Sequence, residues 1–313
     1  MPSTKPVADA PDAMPARTAL VIARRRKGRP VADVVRDVAG RLNEAGVRTQ
    51  ARVVRRKRAL RRFTARAVRR GCSMVVCVGG DGTVREVATA VAGSAVPLAV
   101  IPTGTGNLLA GGLGIPTDIS EAIAAALDGT PRRIDCGIVS VGGRRRLFAV
   151  ACGVGFDAEV MRRTDSREKR RLGVLAYAVN AVREAGSIRD QEHEVTIDGV
   201  TSRVPASEVI VANLGRIPPG ITVDGVQPDD GVLDVFIIRA PGPLSALAAG
   251  WEVIRGAGEA GGRLHHVHRA RARTVKIDAR PRRTVELDGS AVGRTPVSIR
   301  VKPAALMVMV PQT

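Results

Sequence analysis

The sequence predicts an α/β N-terminal domain on a mostly parallel sheet, followed by an all-β, sandwich-like C-terminal domain. Two observations carry this expectation. From Thr18 to about residue 138, apolar runs of strand length alternate with segments of helical spacing, joined by short connections. Such alternation implies a parallel sheet covered on both faces. After residue 138 the texture changes to short β-like runs punctuated by Asp198-Gly199, Asp230-Gly231 and Asp288-Gly289, as in antiparallel sandwiches. The 313 residues divide into a tail, 1–17, a first domain, 18–138, a second, 139–303, and a final strand within 304–313.

The elements follow in order. Residues 1–17, rich in Pro, Ala and Asp, read as a loose tail. Ala19 to Ile22 is a short apolar strand. Val31, Val34, Val35, Val38 and Leu42 recur at helical spacing, and Gly46 closes that helix. Val47 to Val54 is a second strand and Ala59 to Arg70 a basic helix. Ser73 to Val78 is a strongly apolar strand running into Gly79-Gly80, followed by a helix from Thr83 to Val91. Pro97 to Ile101 is the next strand and Ile119 to Leu127 the next helix. Further strands are read at Leu147 to Cys152, Glu194 to Ile197, Val209 to Asn213, Leu233 to Ile238, Thr274 to Ile277, Thr284 to Leu287 and Val297 to Val301. One helical stretch, Val174 to Glu184, interrupts them.

Composition narrows the function classes. A hydrophobic content of 44% suits a globular protein with a sizeable core. No apolar stretch follows Met1 as a secretory signal would require. No run reaches the length of a membrane span: Val87 to Ile101 is broken by Thr89, Gly93, Ser94 and Pro97. Any membrane role is therefore expected to be peripheral. Cys72, Cys77, Cys136 and Cys152 form no C-x-x-C pair, and their apolar surroundings suit buried, reduced thiols in a cytoplasmic protein. The net charge of +19 asks for an anionic partner, although a GC-rich genome also favours arginine. Aromatics are only 2%, too few for the stacking platforms of single-strand nucleic-acid binders, so an anionic membrane surface is favoured over nucleic acid.

Two loops carry the chemistry. Val78-Gly79-Gly80-Asp81-Gly82-Thr83 lies between an apolar strand and a helix; its side-chain-free backbone can close on phosphate oxygens at the helix N-terminus. Asp81 can hold magnesium or take a proton. Pro102-Thr103-Gly104-Thr105-Gly106-Asn107 follows the next strand and offers hydroxyls, an amide and bare backbone. Two such loops at the ends of neighbouring parallel strands face one crevice, where open α/β sheets bind ligands. Neither is a Walker A or a dinucleotide fingerprint.

With VVCVGGDGTVREVATAV, IPTGTGNLLAGGLGIP, RRIDCGIV, FAVACGVGFDAEVMRRTD, RLGVLAYAV, DDGVLDVFII and VELDGSAVGRTPVSIRV in this order, the chain resembles the diacylglycerol kinase catalytic family, which includes sphingosine kinases and bacterial lipid kinases. The resemblance spans roughly residues 18 to 311. GGDGT alone is shared with NAD kinases; the rest of the set is not. The resemblance implies a nucleotide-binding α/β domain, a C-terminal sandwich that binds lipid, and a final strand, Ala305 to Val310, returning to the first domain. It implies transfer of the γ-phosphate of ATP, with Mg2+, to a lipid hydroxyl, most simply that of diacylglycerol. By position, Gly79, Gly80, Asp81, Gly82, Thr83, Glu86, Thr103, Gly104, Thr105 and Asn107 would contact the nucleotide and its magnesium. Asp230, with the carbonyls of Gln227 and Val232, matches a structural magnesium site, and Asp135 an aspartate near the domain junction.

Three departures stand out. The family's opening strand ends in Asn-Pro and a Ser-Gly turn; here it ends Ala23-Arg24-Arg25-Arg26-Lys27-Gly28. Leu108 stands where many members carry an acid. The late Asp-Gly-Glu, whose Glu serves as general base, reads Asp288-Gly289-Ser290, which leaves Asp288 or Asp81 as the catalytic carboxylate. The competing reading is a pseudokinase that binds nucleotide and lipid. Arg55, Arg58, Arg62, Arg66 and Arg69 fall along one side of the basic helix, with Leu60, Phe63, Ala67 and Val68 opposite, a pattern suited either to a solvated face or to docking on the anionic inner face of the membrane. The reading leaves room for a homodimer. His265-His266-Val267-His268 lacks acid or cysteine partners and is not read as a zinc site.

Overall fold

The computed structural model describes residues 17–25, 31–155, 190–217, 221–240 and 266–312. The tail to residue 16, the Arg26-Lys27-Gly28 run, the helix Val174 to Glu184 and His265 lie outside the described residues. The first half alternates β1 (Thr18–Arg24), α1 (Val31–Glu44), β2 (Arg48–Val54), α2 (Lys57–Arg69), β3 (Met74–Gly79), α3 (Asp81–Val91) and β4 (Leu98–Pro102), then α4 (Leu108–Gly112) and α5 (Ile119–Asp128). The strands run in the order β2-β1-β3-β4, all parallel.

Period-two alternation along the strands feeds two cores. Leu20, Ile22, Val75, Cys77, Leu98 and Val100 pack with Leu60 of α2 and Val84, Val87 and Val91 of α3. Ala19, Val21, Val76, Val78, Ala99 and Ile101 belong to the opposite core, with Val35, Val38 and Leu42 of α1 and Ile123 of α5. Because both faces are covered, β3 and β4 are buried along their whole lengths and read as unbroken apolar runs.

The rest of the described chain is β: β5 (Thr130–Val141), β6 (Arg144–Phe148), β7 (Ala151–Gly155), β8 (Gln191–Ile197), β9 (Val200–Ala206), β10 (Glu208–Ala212), β11 (Arg216–Ile217), β12 (Ile221–Thr222), β13 (Leu233–Ile238), β14 (Val267–Ala272), β15 (Thr274–Ala279), β16 (Thr284–Leu287), β17 (Ser290–Arg294) and β18 (Val297–Val310). Six of these form an antiparallel sheet, β14-β13-β10-β7-β16-β17. β11 and β12 pair only with each other, and the remaining six extend the parallel sheet to ten strands through β18, which meets β4 at Val308↔Leu98 and pairs β5 on both sides of a register shift. The six-stranded sheet and the far end of the long sheet share one core, in which Cys152, Val211, Val235 and Leu287 meet Val139, Phe148, Val275 and Ile299.

Several elements differ from the sequence reading, each for a local reason. The boundaries at 138 and 303 both fall inside strands, β5 and β18. β18 was read in two pieces because Pro303 and Ala304 (φ +46°) form a bulge where the register with β5 shifts between Lys302 and Leu306. Leu147 to Cys152 divides between β6 and β7, since Ala149 and Val150 carry the chain from one sheet to the other. β9 and β14 were missed because their sequences, VTSRVPA and VHRARA, are largely polar.

Candidate functional site

Side-by-side strands bring the two glycine loops together. Gly79 is in register with Pro102, and the Thr103 amide donates to the Gly79 carbonyl at 3.1 Å. One residue on, the loops touch backbone to backbone: a Cβ on Gly80 would lie 2.7 Å from the Gly104 Cα. Asp81 was expected in a loop ahead of the helix; it lies instead in the first turn of α3 and stitches the loops together. Its carboxylate accepts from the amides of Asn107 (3.0 Å) and Leu108 (2.6 Å), the residues that open α4. Asn107, in the left-handed region at φ +47°, closes its own loop by accepting from the Gly104 amide at 2.9 Å.

The glycines are therefore not equivalent. A Cβ on Gly79 would strike the Thr83 side chain at 2.7 Å, and one on Gly106 would strike Asp81 Oδ2 at 2.8 Å. At Gly82 a Cβ would meet nothing within 4 Å. Gly82 is thus the open point at the N-terminus of α3, whose amides and dipole favour an anion. Thr83 is buried under Gly79, whereas Thr105 is exposed.

Not every candidate faces this crevice. Glu86, expected at the nucleotide, turns toward α2 and pairs with Arg61 at 2.5 Å, its side chain 7% exposed. In the turn proposed for structural magnesium, Asp230 pairs with Arg271 of β14 and accepts from the Val232 amide at 3.1 Å. The Asp230 carboxylate expected to hold that cation thus also faces the Arg271 guanidinium. That turn is also anchored by Asp135, which accepts from the Gly231 amide (2.7 Å) and from the Ala304 amide at the β18 bulge (2.7 Å). The Gln227 and Val232 carbonyls flank this anchored turn. Among the described residues no three His, Cys, Asp or Glu side chains converge as a metal cage. For nucleotide-borne magnesium Asp81 fits: two N–H bonds use two of the roughly four acceptor positions of a carboxylate.

Asp288 follows β16, at φ +44° and 6% exposed. It accepts from the amides of Val150 (2.9 Å) and Ala151 (3.1 Å) through Oδ1, and of Ala149 (3.3 Å) through Oδ2. It thereby caps the crossing from β6 to β7. Burial pushes its carboxyl up to about 6, against the pull of the Arg85 charge and these amides. Ser290 opens β17 two residues on and is half-buried. Arg85, not singled out in the sequence, lies on α3 one turn beyond Asp81, 7% exposed, and donates through Nη1 to the Leu287 carbonyl beside Asp288. Nothing local signals it, because Val84, Val87 and Val91 make the helix read as an ordinary apolar stripe.

Around the crevice the surface is basic. Lys57, opening α2, is held below the usual lysine range by burial and then by Arg85, with Arg24 and Arg146 adding to the effect. Arg55, Arg58, Arg62, Arg66 and Arg69 are exposed, while Leu60 is buried and Phe63, Ala67 and Val68 are partly buried behind them. All four cysteines are free; burial pushes Cys77 up to about 12 and raises the other three. No helix among the described residues is long and apolar enough to cross a membrane.

Comparison with known proteins places this architecture. Residues 18–139 match the family model of the diacylglycerol kinase catalytic domain, and residues 150–310 that of the YegS C-terminal NAD kinase beta sandwich-like domain. A diacylglycerol kinase of Mycobacterium tuberculosis is 30% identical over 258 residues, covering 80% of this chain and 81% of its own. A Pseudomonas aeruginosa protein named "Probable lipid kinase YegS-like" is 30% identical over 286 residues, 88% of this chain and 89% of its own. The chain spans 55% of the length of a Synechocystis relative that it matches at 29% identity. A crystal structure of a diacylglycerol kinase from Bacillus anthracis superposes with a TM-score of 0.72 at 19% identity, over 94% of this chain and 97% of that one.

Proposed function

We propose, from the premise that this chain belongs to the diacylglycerol kinase catalytic family, that it transfers the γ-phosphate of ATP to a lipid hydroxyl, with diacylglycerol as acceptor and phosphatidic acid as product. The observation that carries this reading is the pair of glycine loops locked together by Asp81, in which Gly82 alone among the glycines leaves open space at its Cβ position. That opening suits a phosphate chain laid across the N-terminus of α3. Gly79, Gly80, Gly82 and the Thr103-to-Asn107 loop line it, with the exposed Thr105 hydroxyl available to a phosphate oxygen.

Magnesium arriving with the nucleotide would neutralise phosphate charge beside Asp81. In the transfer the lipid hydroxyl oxygen bonds to the γ-phosphorus, the bond from that phosphorus to the β–γ bridging oxygen breaks, and ADP leaves. The hydroxyl proton goes to a carboxylate. Asp288 suits this role: its carboxyl value of about 6 leaves it mostly ionised at neutral pH yet able to hold a proton. Among the described residues its Oδ2 carries only the 3.3 Å bond from Ala149. The exposed arginines of α2 suit peripheral docking on an anionic membrane, from which the lipid would be drawn.

Ser290 favours a second reading, a relative that binds nucleotide and lipid without turnover. Labelled ATP with a panel of lipids in mixed micelles separates the two. Labelled phosphatidic acid is expected, and Ser290→Glu should raise its rate by about a hundredfold if a positioned base is what limits the native protein. ATP binding with no labelled lipid from either form would establish the second reading.

A further inference from the structure

Arg85 joins the two halves of the crevice. It stands one turn beyond Asp81 on α3, yet its guanidinium reaches the six-stranded sheet and donates to the Leu287 carbonyl, the last residue of β16. At 7% exposure it is a buried cation, and a cation is costly to bury without compensating partners. The partner at the end of its side chain is a neutral carbonyl. The neighbouring charge is Asp288, whose bonds among the described residues come from the uncharged amides of Ala149, Val150 and Ala151. Among the described residues, Arg85 is the leading charge acting on the Asp288 carboxylate.

We propose that Arg85 is a positioning residue of the phosphoryl-transfer site: it pins the Asp288 turn to the helix that carries Asp81 and supplies the Asp288 carboxylate with its counter-charge. This rests on the reading of Asp288 as acceptor of the lipid proton. Burial alone drives that carboxyl upward, and Arg85 is the leading charge that opposes it. Among the described residues the Cys136 thiol of β5 and the Cys152 thiol of β7 also face it, with Glu208 and Glu286 bearing on Cys152. Burial keeps both thiols protonated through neutral pH, so they contribute no positive charge. A carboxyl whose folded value lies above its unfolded one binds its proton more tightly in the folded state. Its contribution to stability is therefore fullest in acid and is lost as pH rises through about 6. Arg85 moves that loss to lower pH and enlarges the ionised, proton-accepting fraction at neutrality.

The test compares Arg85→Gln, which can still donate to Leu287 but is uncharged, with Arg85→Lys, which keeps the charge. The carboxyl-carbon NMR signal of Asp288, assigned by its disappearance in Asp288→Asn, is titrated in each. The midpoint should rise by about one pH unit or more in Arg85→Gln, because an opposite charge at this range holds a carboxyl down by about 1–3 units. The acid limb of lipid phosphorylation should move up with it, and Arg85→Lys should return both to their native positions. A midpoint unmoved by Arg85→Gln overturns the proposal. A midpoint that moves while the kinetic limb stays in place upholds the Arg85–Asp288 coupling and removes Asp288 as proton acceptor.

Discussion

A single methyl group separates the structural glycines of the crevice from the functional one. At Gly80 it would press on the Gly104 backbone at 2.7 Å, and at Gly82 it would project into open space. Gly80→Ala should therefore force the loops apart, costing about 1–3 kcal/mol of stability as overpacking does, together with nucleotide binding. Gly82→Ala should leave the melting temperature essentially native and weaken ATP binding alone. Calorimetry with ATP alongside thermal melts checks the pair; native ATP affinity in Gly82→Ala would mean that phosphate does not pass there. The glycines and Asp81 were legible in the sequence because their spacing is local. The partners of Glu86 and Asp230 were not: Arg61 lies on another helix, and Arg271 is a strand contributed from much later in the chain.

At the scale of elements, α2 shows how periodicity transfers from sequence to structure. Its apolar positions pack on the sheet side, and Arg55, Arg58, Arg62, Arg66 and Arg69 remain in solvent as the spacing predicts. Arg61 is the exception on its outer surface, because Glu86 of α3 captures it. If this basic face docks on anionic lipid, replacing the five exposed arginines one at a time with Gln should each lower binding to anionic vesicles by roughly fivefold at low salt. Arg61→Gln should act less through the membrane and more through the packing of α2 on α3. Vesicle pelleting across a salt series measures this. Binding that persists at high salt, or on neutral vesicles, would show that the arginine field is not the attachment. The strands missed in the sequence are those with little apolar periodicity, such as β14, where Arg269 is buried by pairing with Asp234 at 2.8 Å.

For the whole molecule, the junction of the domains is a hydrogen-bonded knot around Asp135. From the middle of β5 its carboxylate holds the β18 bulge through Ala304 and the following turn through Gly231, while its amide donates to the Pro228 carbonyl at 2.6 Å. Asp135 itself is 2% exposed, while Gly231 is partly buried and Ala304 exposed. Asp135→Ala should cost about 1–3 kcal/mol, from the lost hydrogen bonds to a charged acceptor and the partly buried amides left behind. Asp135→Asn, which retains one carbonyl acceptor, should recover part of it. Denaturant midpoints test this, and a near-native midpoint in the alanine variant would show that the bulge and turn hold without Asp135.

Local chemistry determined much of this protein. Strand and helix alternation, the apolar stripe of α2 and the two glycine loops follow from residue spacing over ten or so positions, so they and the family could be read from the chain directly. Tertiary structure alone decided which charges meet. Arg85 with the Asp288 turn, Arg271 with Asp230, and Asp135 with the β18 bulge are joined across 202, 41 and 169 residues. It also decided that β5 and β18 run unbroken through both domains. A buried charge takes whatever counter-charge the fold brings within reach, and no pattern along the chain records that distance.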